Sequence, residues 1–305
     1  MADVTSAQTP AAAPRLRVQS VLYMMDPASI LKAARSLAAA ARYAVQTGVL
    51  SDIEVGYGDC SPDPCLNPDQ IAAMGNELRV GYTFFGANLG SARGHNTLAE
   101  EADADYLMIL NPDVLVGSRT LHDLMTPYAS PGVGMTEGHQ LPIEHPKHYD
   151  AGSGITGWAT TACAITPTPL FRQLGGFDAD TFFLYCDDVD YAWRVRETGH
   201  TVIYRPSAIA FHDKRLSRTG EWLPSGAERY YSAEAALLMA HKWSRPKLVK
   251  WLLRQFDSSR DDPQQRAADE YRKREREGRL PAPCDTRHKV GFFRHGRYAR
   301  HRYPL

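Results

Sequence analysis

Several short apolar runs of this chain end in acidic or amide side chains. The clearest case is residues 106–114 (YLMILNPDV), where the apolar run stops at Asn111, Pro112 and Asp113. A buried parallel strand that delivers a carboxylate to the carboxyl edge of a sheet has this pattern, because proline lacks the N–H that would continue the ladder. Open α/β sheets bind their ligands at that edge. An ordinary turn at a strand end has the same short sequence, so both interpretations stay open on this stretch alone.

A second group of acids follows the aromatic run 182–185. Asp187, Asp188 and Asp190 lie together where the periodicity predicts the first turn of a helix. Acids stabilise that position electrostatically, and Asp190 can form an i,i+4 pair with Arg194. This explanation accounts for Asp190 better than for two adjacent acids. One of the pair Asp187 and Asp188 is therefore a candidate general base.

Two further strand ends carry single titratable residues. Asp59 precedes a turn-rich loop, and His212 follows the apolar run 208–211. A histidine at a strand end usually has a structural role. An imidazole and a carboxylate together nevertheless suit Mn²⁺-like ions, so His212 is also a candidate metal ligand.

The loop 86–96 runs into a predicted helix and carries Gly90 and Gly94. It lacks the GxGxxG spacing of dinucleotide-binding loops. Backbone N–H groups at the start of a helix can still bind a phosphate, and Arg93 can add a charge-assisted contact. Two turn glycines are the simpler explanation, but the presence of Arg93 and Asn88 in one loop favours a binding role.

Strand and helix patterns alternate along most of the chain, and these elements must position the polar groups. The predicted strands are 18–24, 53–57, 80–85, 105–110, 157–166, 182–185, 201–204 and 208–211. The predicted helices are 27–46, 67–78, one ending near 101, 118–128, 169–174, 186–198, 227–243 and 247–256. This alternation implies a parallel, doubly wound sheet with right-handed crossovers. Residues 131–156 are expected to be irregular, and the charged stretch 260–279 to be helical at best, on one exposed face.

Composition narrows the class of protein. The 305 residues are enough for one large α/β domain with an appendage, or for two modest domains. Lys plus Arg and Asp plus Glu both number 35, so the overall charge gives no reason to expect nucleic acid. The five cysteines form no CxxC pair, which argues against a disulfide framework or a zinc site. Without an apolar run of membrane-spanning length or a signal pattern at the N-terminus, we expect a cytoplasmic protein.

In their order, these motifs resemble the inverting family 2 glycosyltransferases of the GT-A fold, especially their bacterial rhamnosyltransferase-like branch. The resemblance covers about residues 18–212, and its most specific part is the series GWATTACAI, GGFD, FFLYCDDVDYAWRVRETGH and FHD. It implies a Rossmann-like, mostly parallel sheet flanked by helices, with a helical C-terminal extension. It also implies an enzyme that uses Mn²⁺ or Mg²⁺ to move a sugar from a dTDP- or UDP-linked donor to a hydroxyl of a carbohydrate or lipid-linked acceptor. The branch points to a deoxyhexose such as L-rhamnose, in cell-surface or secondary-metabolite glycan synthesis.

The resemblance assigns reaction chemistry to four positions. Asp113 matches the metal-binding aspartate of the family's DxD-type triplet, and His212 matches a histidine that completes the metal site in several members. Asp187 and Asp188 match the family's acid pair, whose second member deprotonates the acceptor hydroxyl. Because a helix N-terminus favours a carboxylate, we expect Asp188 to stay ionised and to be a weak base. Its proton transfer would then occur late, as the leaving group departs.

The remaining matches lie on the donor side. Asp59 matches the acid that contacts the nucleotide base or ribose, and Trp158 lies where the family lines its sugar and acceptor pocket. Asn88, Arg93 and Asn111 are further donor-binding candidates. Asn111 replaces an acid of the triplet, which leaves one fewer carboxylate for the metal. The family's T-Y-N is YMMD at 23–26 and its V-D-N-x-S is GDCS at 58–61, so the match of Asp59 can slip by one residue.

We predict three regions: a disordered tail at 1–14, a GT-A domain at 15–222, and a helical, basic region at 223–305. In the last, the amphipathic segment 237–256 and the basic tail 294–300 suit an anionic lipid surface at the inner face of a membrane. A solvated helical cap, an acceptor-binding module or an oligomer contact fits them equally well. Two other classes of protein stay open. A nucleotidyltransferase would need acids for two metals, and a non-catalytic sugar-nucleotide-binding protein would not need Asp113, Asp188 and His212 together.

Overall fold

The computed structural model describes residues 12–144, 146–212 and 224–293. Its strands are β1 Arg15–Leu22, β2 Asp52–Asp59, β3 Arg79–Phe84, β4 Tyr106–Leu110, β5 Val114–Val116, β6 Val133–Leu141, β7 Ile155–Thr156, β8 Cys163–Pro167 and β9 Thr201–His212. Its helices are α1 Pro27–Gln46, α2 Pro68–Gly75, α3 Gly90–Glu100, α4 Thr120–Met125, α5 Thr168–Gln173, α6 Asp187–Glu197, α7 Gly226–Lys242, α8 Pro246–Ser258 and α9 Asp262–Arg276.

One mixed sheet carries the fold, with strand order β3-β2-β1-β4-β8-β6-β9-β5 and β7 paired to β9. The first four strands of that order are parallel, so β1, β2, β3 and β4 all end at the same edge. In the second half, β8 runs antiparallel to β4 and β6, while β6 and β9 are parallel. The predicted α/β class with a mostly parallel sheet is confirmed, but the continuous parallel order does not extend past β4.

The helices begin where local chemistry caps them. The Asp26 side chain accepts a hydrogen bond from the Ala28 amide at the start of α1, and proline occupies the first turn. Asn67 and Gln70 form a reciprocal capping box at α2. The alanine-rich face of α1 packs into the core together with residues of β1.

Four predictions about elements are wrong. Residues 131–156 contain β6 and β7, because β6 is buried on both faces and so lacks polar alternation. Residues 182–185 form a turn that ends with positive φ angles at Tyr185 (68°) and Cys186 (60°). The predicted strands at 201–204 and 208–211 form the single strand β9, which passes Pro206 with a register irregularity opposite Gly138 and His139. The short strand β5 was not predicted.

The fourth wrong prediction concerns the charged stretch 260–279, which was expected to be helical on one exposed face. It forms helix α9, and one face of α9 is buried. Ala267, Ala268 and Tyr271 of α9 are buried with α7 and α8 in a cluster that also includes Phe182 and Trp193. The C-terminal helices α7, α8 and α9 therefore share a hydrophobic core with α6 and with Phe182, which precedes it.

Most apolar residues of segment 237–256 pack inside the protein, although Trp251 is 45% exposed. Leu237, Leu252 and Phe256 are buried in that shared cluster, so these side chains are not available to lipid. No helix among the described residues is long and apolar enough to cross a membrane. The basic tail 294–300 and most of the predicted tail 1–14 lie outside the described residues. The division at residue 222 also falls outside them and stays a prediction.

Candidate active site

The end of β4 and the end of β9 bring Asp113 and His212 together. After β4, the Val114 amide donates to the Asn111 carbonyl (3.1 Å), which closes a tight turn that carries Asp113. The chain then enters β5, where Val114 pairs directly with His212 of β9. The Asp113 Oδ1 atom lies 3.4 Å from His212 Nε2 as a result. The short ladder between β5 and β9, which was not predicted, positions this predicted pair.

Asp113 and His212 have the donor set and spacing of two neighbouring ligands of a divalent cation. Adjacent ligands of an octahedral ion with 2.0–2.1 Å bonds lie about 3 Å apart, close to the observed separation. The described residues contain no group of three or more His, Cys, Asp and Glu side chains that would hold a metal by themselves. Asn111 has an amide side chain and so adds no carboxylate. A cation here would therefore need further oxygen ligands, such as a diphosphate and water.

The acid pair begins α6. Asp187 is buried and accepts hydrogen bonds from the Ser91 hydroxyl and from the Asp188 amide. Its Oδ2 atom has no hydrogen-bond partner among the described residues. Asp188 is half-buried and its Oδ1 accepts from the Val189 amide (2.8 Å). The acid pair therefore combines one buried carboxylate with one that is partly exposed.

Burial raises the pKa of both members of the pair. The pKa of Asp187 rises to about 6 and that of Asp188 to about 7, with burial the largest cause at each and the charge of Asp187 the second cause at Asp188. The expectation that the helix N-terminus keeps Asp188 a weak base is therefore wrong, because desolvation and the adjacent carboxylate outweigh the helix dipole. A carboxylate with a pKa near neutrality is a stronger base and still ionises at physiological pH.

Asp190 has the structural role that its spacing predicts. Its carboxylate contacts Arg194 (2.8 Å), the Lys242 ammonium (2.7 Å) and the Trp243 indole N–H (3.0 Å). Lys242 also pairs with Asp178 (2.6 Å). These contacts fix α6 to the end of α7, so the C-terminal helices support the element that carries the acid pair.

The loop before α3 is shaped mainly by packing. A side chain at Gly90 would meet the Phe183 carbonyl at 2.5 Å, and one at Gly94 would meet Val21 at 2.9 Å. Asn88 Oδ1 accepts from the Gly90 amide (3.2 Å), and the Ser91 amide donates to Phe183 (3.2 Å).

The backbone amides of Gly90 and Ser91, in the first turn of α3, thus already donate hydrogen bonds within the protein. Arg93 is exposed at the surface and pairs with the exposed Asp180 (2.6 Å). A phosphate contact from Arg93, and a donor role for Asn88, stay predictions.

Asp59 is fully buried at the end of β2. Its carboxylate accepts from the amides of Ser61 (2.9 Å) and Cys65 (2.6 Å) and from the Tyr82 hydroxyl. Burial alone would raise its pKa, but these hydrogen bonds outweigh burial and hold the pKa below its ordinary value. The Ser61 hydroxyl in turn accepts from the Met24 amide (2.7 Å), so Asp59 orders both loops that follow β1 and β2. Its contact with a nucleotide stays a prediction.

Trp158 and a buried ion pair lie next to the acid pair. Trp158 is 7% exposed, and the Lys147 ammonium lies 4.3 Å from its ring centroid. Lys147 pairs with Glu137, and both side chains are almost completely buried. The charge of Glu137 raises the pKa of Asp188 and that of Lys147 lowers it. Sequence reasoning missed this pair because it lies in the stretch that was predicted to be irregular.

The chain is similar to known glycosyltransferases in sequence and in fold. No protein-family model matches the chain. Over 100 residues it is 33% identical to the N-acetylglucosaminyl-diphospho-decaprenol L-rhamnosyltransferase of Mycobacterium tuberculosis (strain CDC 1551 / Oshkosh), which covers 32% of each chain. The matched part thus spans about a third of the length of the curated relatives.

Two solved structures share the fold. The mannosyltransferase PcManGT from Pyrobaculum calidifontis, in complex with GDP-Man and Mn²⁺, has a TM-score of 0.56 at 19% identity, covering 85% of this chain and 68% of that chain. GalNAc-T7 with UDP, GalNAc and Mn²⁺ has a TM-score of 0.60 at 12% identity, covering 81% and 52%. The chain has the GT-A glycosyltransferase fold. Its resemblance to the family 2 glycosyltransferases is confirmed by the curated relatives.

Proposed function

We propose that this protein is a metal-dependent, inverting glycosyltransferase that transfers a sugar from a nucleotide-sugar to an acceptor hydroxyl. The observation that carries the proposal is the 3.4 Å approach of Asp113 to His212 at the sheet edge, on the same fold that places the acid pair at the start of α6. The two solved structures described above contain Mn²⁺ with a nucleotide or a nucleotide-sugar, which supports both the donor class and the metal.

The two halves of the site divide the chemistry. Asp113 and His212 would hold the cation, whose charge stabilises the departing diphosphate. Asp188 accepts the proton of the acceptor hydroxyl as that oxygen attacks the anomeric carbon, and the bond from the anomeric carbon to the diphosphate breaks. A direct displacement inverts the anomeric centre and needs one base and no enzyme nucleophile. The single acid pair at α6 meets that requirement.

L-Rhamnose is the donor sugar that we propose first. Its support is the partial similarity to a mycobacterial enzyme that is named as an L-rhamnosyltransferase. A contact between the sugar and Trp158 is part of the same proposal. A dTDP-linked deoxyhexose should therefore react faster than UDP- or GDP-linked hexoses.

A donor panel tests the proposal directly. The purified protein is incubated with dTDP-L-rhamnose and with UDP- and GDP-linked sugars, with Mn²⁺, Mg²⁺ or a chelator, and released nucleoside diphosphate is measured. We expect metal-dependent release from at least one donor, and release of pyrophosphate would instead indicate a nucleotidyltransferase. If no donor yields a nucleoside diphosphate under any of these conditions, the proposed function is wrong.

A further inference from the structure

A chain of buried hydrogen bonds runs from the Lys147–Glu137 ion pair to His212. The Thr160 hydroxyl lies 2.6 Å from Glu137 Oε1, Gln140 Nε2 lies 2.7 Å from Thr160 Oγ1, and Gln140 Oε1 lies 3.2 Å from His212 Nδ1. Glu137, Gln140 and Thr160 are 0%, 1% and 5% exposed. Burying this many polar groups is costly unless each of them is hydrogen-bonded. The donor and acceptor of each hydrogen bond can therefore be assigned.

The direction of this chain follows from its Glu137 end. Burial raises the pKa of Glu137, but the adjacent Lys147 ammonium lowers it and has donors only, which favours an ionised Glu137 whose oxygens both accept. The Thr160 hydroxyl must then donate to Glu137, and its oxygen is free to accept from the Gln140 amide nitrogen. That places the Gln140 carbonyl oxygen against the imidazole ring.

The imidazole is then limited to one arrangement. Because Gln140 Oε1 can only accept, Nδ1 of His212 must carry the proton. The Nε2 atom of a neutral ring therefore has its lone pair directed at the Asp113 side, where it lies 3.4 Å from the carboxylate. With the opposite tautomer, Nε2–H would donate to Asp113 and could not bind a cation.

We propose that Lys147, Glu137, Thr160 and Gln140 are positioning residues that fix His212 in the Nδ1–H tautomer and so present Nε2 as a ligand beside Asp113. The proposal rests on the proposed function for its metal, but the tautomer itself depends on neither donor nor acceptor. It gives the Lys147–Glu137 ion pair a second role, beside its electrostatic effect on the pKa of Asp188. Groups that orient a metal-binding histidine commonly change metal affinity by 10- to 100-fold when they are removed.

Histidine side-chain NMR tests the tautomer without any substrate. Long-range ¹H–¹⁵N correlation spectra of the full chain distinguish the two neutral tautomers, and loss of a signal in His212→Gln identifies the ring. We expect Nδ1–H for His212 in the unsubstituted protein. A clear Nε2–H pattern would overturn the proposal, and the tautomer itself is read from the unsubstituted protein.

Thr160→Val tests the chain itself, because valine keeps the shape of threonine but breaks the link. We expect a mixed or reversed His212 tautomer and a dissociation constant for Mn²⁺, measured by calorimetry, that rises at least about tenfold. Thr168→Val is the matched control, since the Thr168 hydroxyl is buried without a partner among the described residues and lies at the other end of β8. An unchanged tautomer and Mn²⁺ affinity in Thr160→Val would refute the positioning role. Failure of every donor in the panel would instead count against the glycosyltransferase and would leave the tautomer result in place.

Discussion

The raised pKa of Asp188 leads to a prediction about the pH dependence of transfer. Asp188 must be ionised to accept a proton, so the turnover number should fall as the pH drops through its pKa of about 7. Asp187→Asn removes the second cause of the rise, the neighbouring negative charge, and keeps a side chain that can accept from Ser91. With less repulsion the ionised form of Asp188 is favoured, so its pKa should fall.

The expected size follows from the order of the causes. Burial, the larger cause, is unchanged in Asp187→Asn, so the pKa of Asp188 should stay above its ordinary value. A like charge in an adjacent site typically contributes on the order of one pH unit, or about 1.4 kcal/mol. The acid limb of the profile should therefore move from near pH 7 to near pH 6, while the maximal rate falls because the base is weaker.

The assay is nucleotide release at saturating donor and acceptor between about pH 5 and pH 9, the range that brackets the pKa values discussed above. Asp52→Asn is a suitable control, since Asp52 begins β2 at the opposite edge of the sheet and pairs with Arg79. Carboxyl ¹³C NMR titration reports the same pKa if the variant turns over too slowly. An acid limb that stays in place, or that moves to higher pH, would show that Asp187 does not act on Asp188 through its charge.

Three further predictions address the other parts of the site and the fold. Asp188→Asn should lower turnover by at least about 10²-fold while calorimetry shows unchanged donor binding, and retained turnover would remove it as the base. His212→Ala should raise the metal concentration that gives half-maximal activity, and an unchanged titration would return His212 to a structural role. Gly138→Ala should destabilise the protein by about 1–3 kcal/mol in denaturant unfolding, because its Cβ would meet the Ala208 carbonyl at 2.8 Å. Gly75→Ala, with open space around it, should not destabilise the protein, and equal losses in both variants would refute the packing argument.

The sequence predicted the parallel half of the fold well, because its strands and helices have clear periodicity and caps. The α1 and α2 boundaries follow from Asp26 and Asn67, whose side chains cap the helices as their positions predict. The second half was harder, since β6 is buried on both faces and β9 continues through a proline. No local signal distinguishes such strands from an irregular stretch, because pairing with distant strands decides their conformation.

The site shows the same division between local and distant information. Asp113 and Asp188 could be picked out because each lies three residues after the end of an apolar run. The direction in which the pKa of Asp188 shifts could not be predicted, since the shift depends on burial and on Asp187 more than on the helix terminus. Asp59 was found in sequence, but its engagement by its own loop could be seen only in the fold.

The buried ion pair of Lys147 and Glu137 acts on both parts of the site. Lys147 and Glu137 act electrostatically on Asp188 in one direction and reach His212 through two hydrogen-bonded side chains in the other. The base and the metal-facing corner are carried by different elements, α6 and the ends of β4 and β9, although α6 also packs against β9. A support buried between them can hold both geometries at once. Changes at Lys147 or Glu137 should therefore alter the pH profile and the metal affinity together, whereas changes at Asp187 should alter the pH profile and leave the metal affinity unchanged.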